Sequence, residues 1–109
     1  MFLGKYSVTS HAVEQYEDRV KNKLYPNVYK CIKNDLRTLN IRNIITIGDE
    51  CHIFTKGSKE FVFSVKDTGL SKSYVLKTVI KRNVEDTRKT IEKRKAEAAK
   101  YDKRMSKAN

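Results

Sequence analysis

The stretch RNIITIGDECHIFTKGSKEFVFSV, residues 42–65, decides the fold. Apolar and polar residues alternate along it with a period near two, and each run stops at a small turn. Asn43–Ile47 and Cys51–Thr55 read as strands separated by Gly48-Asp49-Glu50. Lys56-Gly57-Ser58-Lys59 turns the chain into a third strand, Glu60–Val65. Asp67-Thr68-Gly69 is the next turn and leads into Ser73–Lys81. Ile53, Phe61, Phe63, Val65, Val75 and Val79 are expected to share the buried face of one antiparallel meander of three to four strands.

Upstream, the period is helical. Lys5–Thr9 reads as a short strand, and the hydroxyl of Thr9 or Ser10 can cap the helix that follows. Val13, Tyr16 and Val20 form its apolar stripe, while His11, Gln15 and Arg19 fall four apart on another face. A break at Asn22–Tyr25 precedes Pro26, which suits the first position of a second helix. Val28, Ile32, Leu36 and Leu39 make that helix amphipathic to about Asn40. Downstream, Asn83 reads as the cap of a long charged helix with Glu85 and Asp86 in its first turn. Its seam is Val84, Ile91, Ala98 and Met105, with Thr87, Arg94 and Tyr101 between, and the first half is expected to dock. The fold class is α+β: residues 1–82 as one unit of strand, two helices and meander, and residues 83–109 as a basic C-terminal helix.

The chain of 109 residues carries 24 Lys and Arg against 13 Asp and Glu, a net charge of +11. Positive electrostatics of this size point to an anionic partner, first an RNA or DNA backbone, then an acidic protein surface. Residues 81–109 hold eleven of the cations against five carboxylates. No apolar run approaches the eighteen or so residues of a membrane span, and Met1–Tyr6 turns polar too quickly for a secretory signal, so a cytoplasmic location without membrane contact is expected. Cys31 and Cys51 are twenty residues apart with no CxxC pair, and His11 and His52 do not cluster with them. Two reduced, partly buried thiols are the expectation, with no metal site and no cofactor.

The order of elements resembles the RelE-type and barnase-like ribonuclease architecture, in which helices precede a twisted sheet. Small bacterial and phage domains of that group open with S/T-x-H-A-x-E-R-x-x-E-R and close with a strand ending in T-V-hydrophobic. Here Thr9-Ser10-His11-Ala12-Val13-Glu14-Gln15-Tyr16-Glu17-Asp18-Arg19 is similar to the opening, and Lys77-Thr78-Val79-Ile80 to the close. Gln15 stands where the motif has its first arginine, and Asp18 replaces a glutamate. The similarity covers roughly residues 5 to 82 and leaves the last helix unexplained.

Metal-independent RNA cleavage needs a base for the 2′-hydroxyl, an acid for the leaving 5′-oxygen and cations for the phosphorus oxygens. The resemblance implies His11 as acid or base, Arg19 as a phosphate clamp and Thr78 as a donor from the sheet, with Lys77 or Tyr74 nearby. Plainer roles account for each residue: His11 at a helix edge, Arg19 pairing with Glu14, Gln15 or the sheet edge, and Thr78 as a β-former. His52 reads as an ordinary strand residue.

Lys56, Lys59, Lys66, Lys72, Lys77, Lys81 and Arg82 come from neighbouring strands and turns, and Arg88, Lys89, Lys93, Arg94 and Lys95 extend the charge along the last helix. The nucleic-acid-binding set expected from them is Lys56, Lys59, Lys66, Lys77, Lys81, Arg82 and Arg88, gathered around the exposed side of the meander. Tyr74 and Tyr101 lie among the cations, where they can stack on bases. The leading expectation is an RNA-binding protein with toxin-like endoribonuclease activity implied by the resemblance. The alternative is a phage-encoded, non-enzymatic inhibitor that binds a host or defence protein, with an antitoxin as another protein partner; Lys-, Asn- and Ile-rich composition suits such a source.

Overall fold

The computed structural model describes residues 6–19 and 27–107, with side chains as far as Tyr101. The elements are β1 (Tyr6–Val8), α1 (Ser10–Arg19), α2 (Val28–Asp35), a 3-10 turn (Thr38–Asn40), β2 (Ile41–Ile47), β3 (Glu50–Thr55), β4 (Lys59–Asp67), β5 (Lys72–Lys81) and α3 (Val84–Lys107). The α+β class and the four-stranded meander agree with the sequence. β2 to β5 pair antiparallel in order, and β1 adds a fifth strand parallel to β5.

The caps explain where the helices start. Thr9 Oγ1 accepts the N–H of Ala12 at 3.1 Å and also donates to the carbonyl of Leu76 in β5. One hydroxyl thus ends β1, starts α1 and ties both to the sheet. Asn27 caps α2 through the N–H groups of Tyr29 and Lys30. Asn83 caps α3 by accepting the N–H of Asp86 at 2.7 Å. Val20, the break at Asn22–Tyr25 and the Pro26 position lie outside the described residues.

Two layers of helix sandwich the sheet. On one face, Ala12 and Tyr16 of α1 and Cys31, Ile32 and Leu36 around α2 meet Cys51, Ile53, Phe61, Phe63, Leu76 and Val79 in a single core. Asp35 braces this layer, accepting from Tyr16 Oη at 2.6 Å and Lys59 Nζ at 2.7 Å. On the other face, α3 lies against β2, and His52, Phe54, Glu60 and Val62 are buried. The meander therefore has no wholly exposed side. Both thiols are buried in the core without a disulfide, and burial raises the pKa of each. No described helix is long and apolar enough to cross a membrane.

Three expectations are corrected. Val75 does not share the core face, because the β4–β5 register shifts between Val62 and Phe63. Lys77 becomes the extra residue of a bulge, so Leu76 and Val79, three apart, both point into the core. Leu39 is 80% exposed, because α2 ends at Asp35 and the following turn rotates it outward. On α1, Ala12 takes the fully buried place while Val13 is half-buried.

The two edges of the sheet differ. Past Leu76, where β1 ends, α1 takes over: Gln15 Oε1 accepts the N–H of Val79 at 2.9 Å and Arg19 donates to the Val79 carbonyl at 2.9 Å. Two side chains thus complete the ladder that β1 is too short to reach.

The bulge is tested by paired truncations. Leu76→Ala is expected to destabilise by about 2–5 kcal/mol, whereas Val75→Ala costs about 1 kcal/mol or less. Urea denaturation reads both, and the reverse order would contradict the register.

Candidate nucleic-acid interface

Each expected site residue has a definite place. His11 is exposed and has no partner among the described residues. Arg19 is two turns further, about 12 Å along the helix axis, with its guanidinium on Val79. Thr78 pairs with Val62, so alternation puts its side chain on the α3 face of the sheet, away from the face that holds Ala12 and Tyr16. The three are not brought together, and Gln15, the departure from the motif, serves the same edge as Arg19.

The cations sort by what neutralises them. Lys59 pairs with Asp35 at 2.7 Å and Lys77 with Glu50 at 2.6 Å. The Lys77 ammonium holds Glu50 below the ordinary carboxylate range, against a smaller opposing effect of burial. Arg82 and Arg94 both reach Glu60, at 2.6 and 3.2 Å. Among the described residues, Lys30, Lys33, Arg37, Lys72, Lys93, Lys95 and Lys100 are exposed without a carboxylate partner, and so, on the strands, turns and start of the last helix, are the five Arg42, Lys56, Lys66, Lys81 and Arg88.

Sheet register gathers four of these five. Ile41 pairs with Thr55, Thr55 with Lys59 and Lys59 with Lys81, one row across the end of the sheet. Lys81 closes that row on the face of Lys59, Arg42, Lys56 and Arg82 flank it, and α3 begins beside it, which brings in Arg88. Lys66 sits near the opposite end, opposite Ser73, and Lys77 is in the bulge. Arg42 was not foreseen. Its signal is structural: the β2 ladder shifts between Ile41 and Asn43, leaving Arg42 exposed in the irregularity. The outer face of α1 carries exposed Glu14, Glu17 and Asp18, while α2 beside it carries exposed Lys30 and Lys33. Tyr74 packs against the core and Tyr101 lies over Gly48 at the far end, so neither aromatic joins the basic row.

A groove of about 290 Å³ opens at this end, lined by Arg42, Phe54, Thr55, Lys56, Gly57, Ser58, Val84, Thr87, Arg88 and Ile91. Its wall is the β3–β4 turn, with Gly57 at φ +84° and Ser58 at φ +60°. The opposite wall is the start of α3, which docks through Thr87, Ile91, Arg94, Ala98 and Tyr101; of the expected seam Val84 is instead exposed, and the Met105 side chain lies outside the described residues.

Beneath α3 lies the feature that the sequence hid. Glu60 is 0% exposed and His52 4%. His52 Nδ1 donates to Glu60 Oε2 at 2.8 Å, since a carboxylate can only accept, and His52 Nε2 lies 3.6 Å from Glu50. Burial alone would raise the Glu60 pKa. The hydrogen bonds from His52 and Arg82 and the charges of Arg94 and Arg82 outweigh it and hold the group at about 2. Every buried side-chain polar atom among the described residues is satisfied. No family model matches the chain, and no curated protein or solved structure matches it either.

Glu60→Gln is expected to cost about 3–5 kcal/mol, because it leaves buried guanidinium charge uncompensated. The folded pKa lies below the ordinary 4.5. The contribution is therefore present above about pH 4.5 and lost as pH falls from there toward 2. Urea midpoints across that window should fall less steeply in the variant than in the parent; identical slopes would contradict the assignment.

Proposed function

We propose that the protein binds a nucleic-acid backbone, RNA foremost, through the basic end of its sheet. The observation that carries this reading is the sorting of charge. Internal carboxylates neutralise Lys59, Lys77, Arg82 and Arg94, whereas Arg42, Lys56, Lys81 and Arg88 stay unpaired and grouped at one end; the other unpaired cations lie around α2, at the far end of the sheet and further along α3. Leaving cations together costs mutual repulsion, which a phosphate chain relieves while releasing its counterions. The acidic outer face of α1 orients the molecule by repelling the same chain.

The likeness to RelE-type ribonucleases supports RNA over DNA and rests on the opening and closing motifs and the order of elements. No cleavage step follows from this geometry, because His11, Arg19 and Thr78 do not share a site and Arg19 is engaged by Val79. Lys59, Lys66, Lys77 and Arg82 leave the binding set, and Arg42 enters it.

Fluorescence anisotropy with a short labelled RNA tests the reading. Affinity is expected to fall steeply between about 50 and about 200 mM salt, and reversing charge in Lys56→Glu with Arg88→Glu to weaken binding about tenfold or more. Lys66→Glu, beyond a Debye length of about 8 Å from the row, should change affinity about twofold at most. Equal losses from both variants, or salt-independent binding to an acidic protein, would overturn it. Intact RNA is the expected product; fragments that disappear with His11→Ala would extend binding to cleavage.

A further inference from the structure

The groove at the basic end differs from a plain phosphate patch. Its rim carries Arg42, Lys56 and Arg88, and no carboxylate among the described residues lines it. Its lining is otherwise largely apolar: Phe54 closes the bottom, Ile91 forms a side, and Val84 stands at the mouth 70% exposed. An exposed valine among three unpaired cations has no role in neutralising phosphate. It suits a ligand that is apolar and planar at one end and anionic at the other. A volume of about 290 Å³ lies at the small end of ligand pockets, enough for one nucleotide and too narrow for a duplex.

We infer that this groove receives a single unpaired nucleotide, its base against Val84 and Ile91 and its flanking phosphates on Arg42, Lys56 and Arg88. The inference rests on the backbone-binding reading and narrows it to single strands, loops and ends. Guanidinium planes of Arg42 and Arg88 offer stacking surfaces for a base of any identity, so the site is tolerant of sequence. A paired base cannot enter without leaving its stack, so a duplex engages only the cationic rim.

The test compares one RNA sequence as a single strand and as a duplex, at one salt concentration, with the full chain and with Val84→Ser. The single strand should bind about tenfold more tightly, and Val84→Ser should bring the ratio near one by removing apolar contact with the base. Val84 is outside the core, so an unchanged melting temperature certifies the variant. Uridine monophosphate should shift the backbone amides of Lys56–Ser58 and Val84–Arg88 at concentrations where inorganic phosphate does not. Equal affinity for strand and duplex, a ratio unaffected by Val84→Ser, or equal response to inorganic phosphate would overturn the nucleotide site while leaving backbone binding intact. No salt-dependent binding of either form would overturn both.

Discussion

A carboxylate with no access to water organises this protein. Glu60 sits in the middle of the sheet face under α3 and collects His52, Arg82 and Arg94 around its two oxygens. Such a group is costly to bury and stable only when every partner is present. Its partners come from β3, the end of β5 and the third turn of α3, so the cluster specifies where the last helix lies. The seam of α3 is otherwise thin, with Ile91 the one large aliphatic side chain against the sheet among the described residues. Remove the carboxylate, and little remains to fix the helix in register.

That placement has a consequence for charge. The carboxylates inside the fold absorb Lys59, Lys77, Arg82 and Arg94 and leave Arg42, Lys56, Lys81 and Arg88 unpaired at the end where β2 starts, β3 turns into β4, and β5 passes into α3. The groove exists because α3 begins there, pinned in its third turn by Arg94 and further along by Tyr101 over Gly48. Gly48 has φ +60°, a conformation that favours glycine, and a Cβ there would stand 3.3 Å from the tyrosine ring, so a larger residue would strain the turn and push on the helix end. Fold stability and the open basic surface therefore draw on the same buried network.

Much of the fold was legible in the sequence. Short turns between runs of period two dictated the meander, and hydroxyl and amide caps at Thr9 and Asn83 marked two helix starts. The misreadings share a cause. A one-residue bulge at Lys77 exchanges Val75 for Leu76 in the core, and alternation alone carries no mark of such an insertion. Charge was legible as a total and illegible as a pattern, because the partner of Glu60 is 22 residues away in Arg82 and 34 in Arg94. His52 looked ordinary for the same reason. One flanking carboxylate, Glu50, is its same-face neighbour two residues back on β3, whereas Glu60, eight residues on, meets it only through the pairing of β3 with β4.

The most direct measurement is an amide chemical-shift titration of the full chain with a short single-stranded RNA at low salt. Shifts are expected to concentrate at Arg42, Lys56–Ser58, Lys81 and Val84–Arg88, with Glu14, Glu17 and Asp18 unmoved. Shifts centred on His11 and α1, or spread evenly over every exposed lysine, would contradict the account.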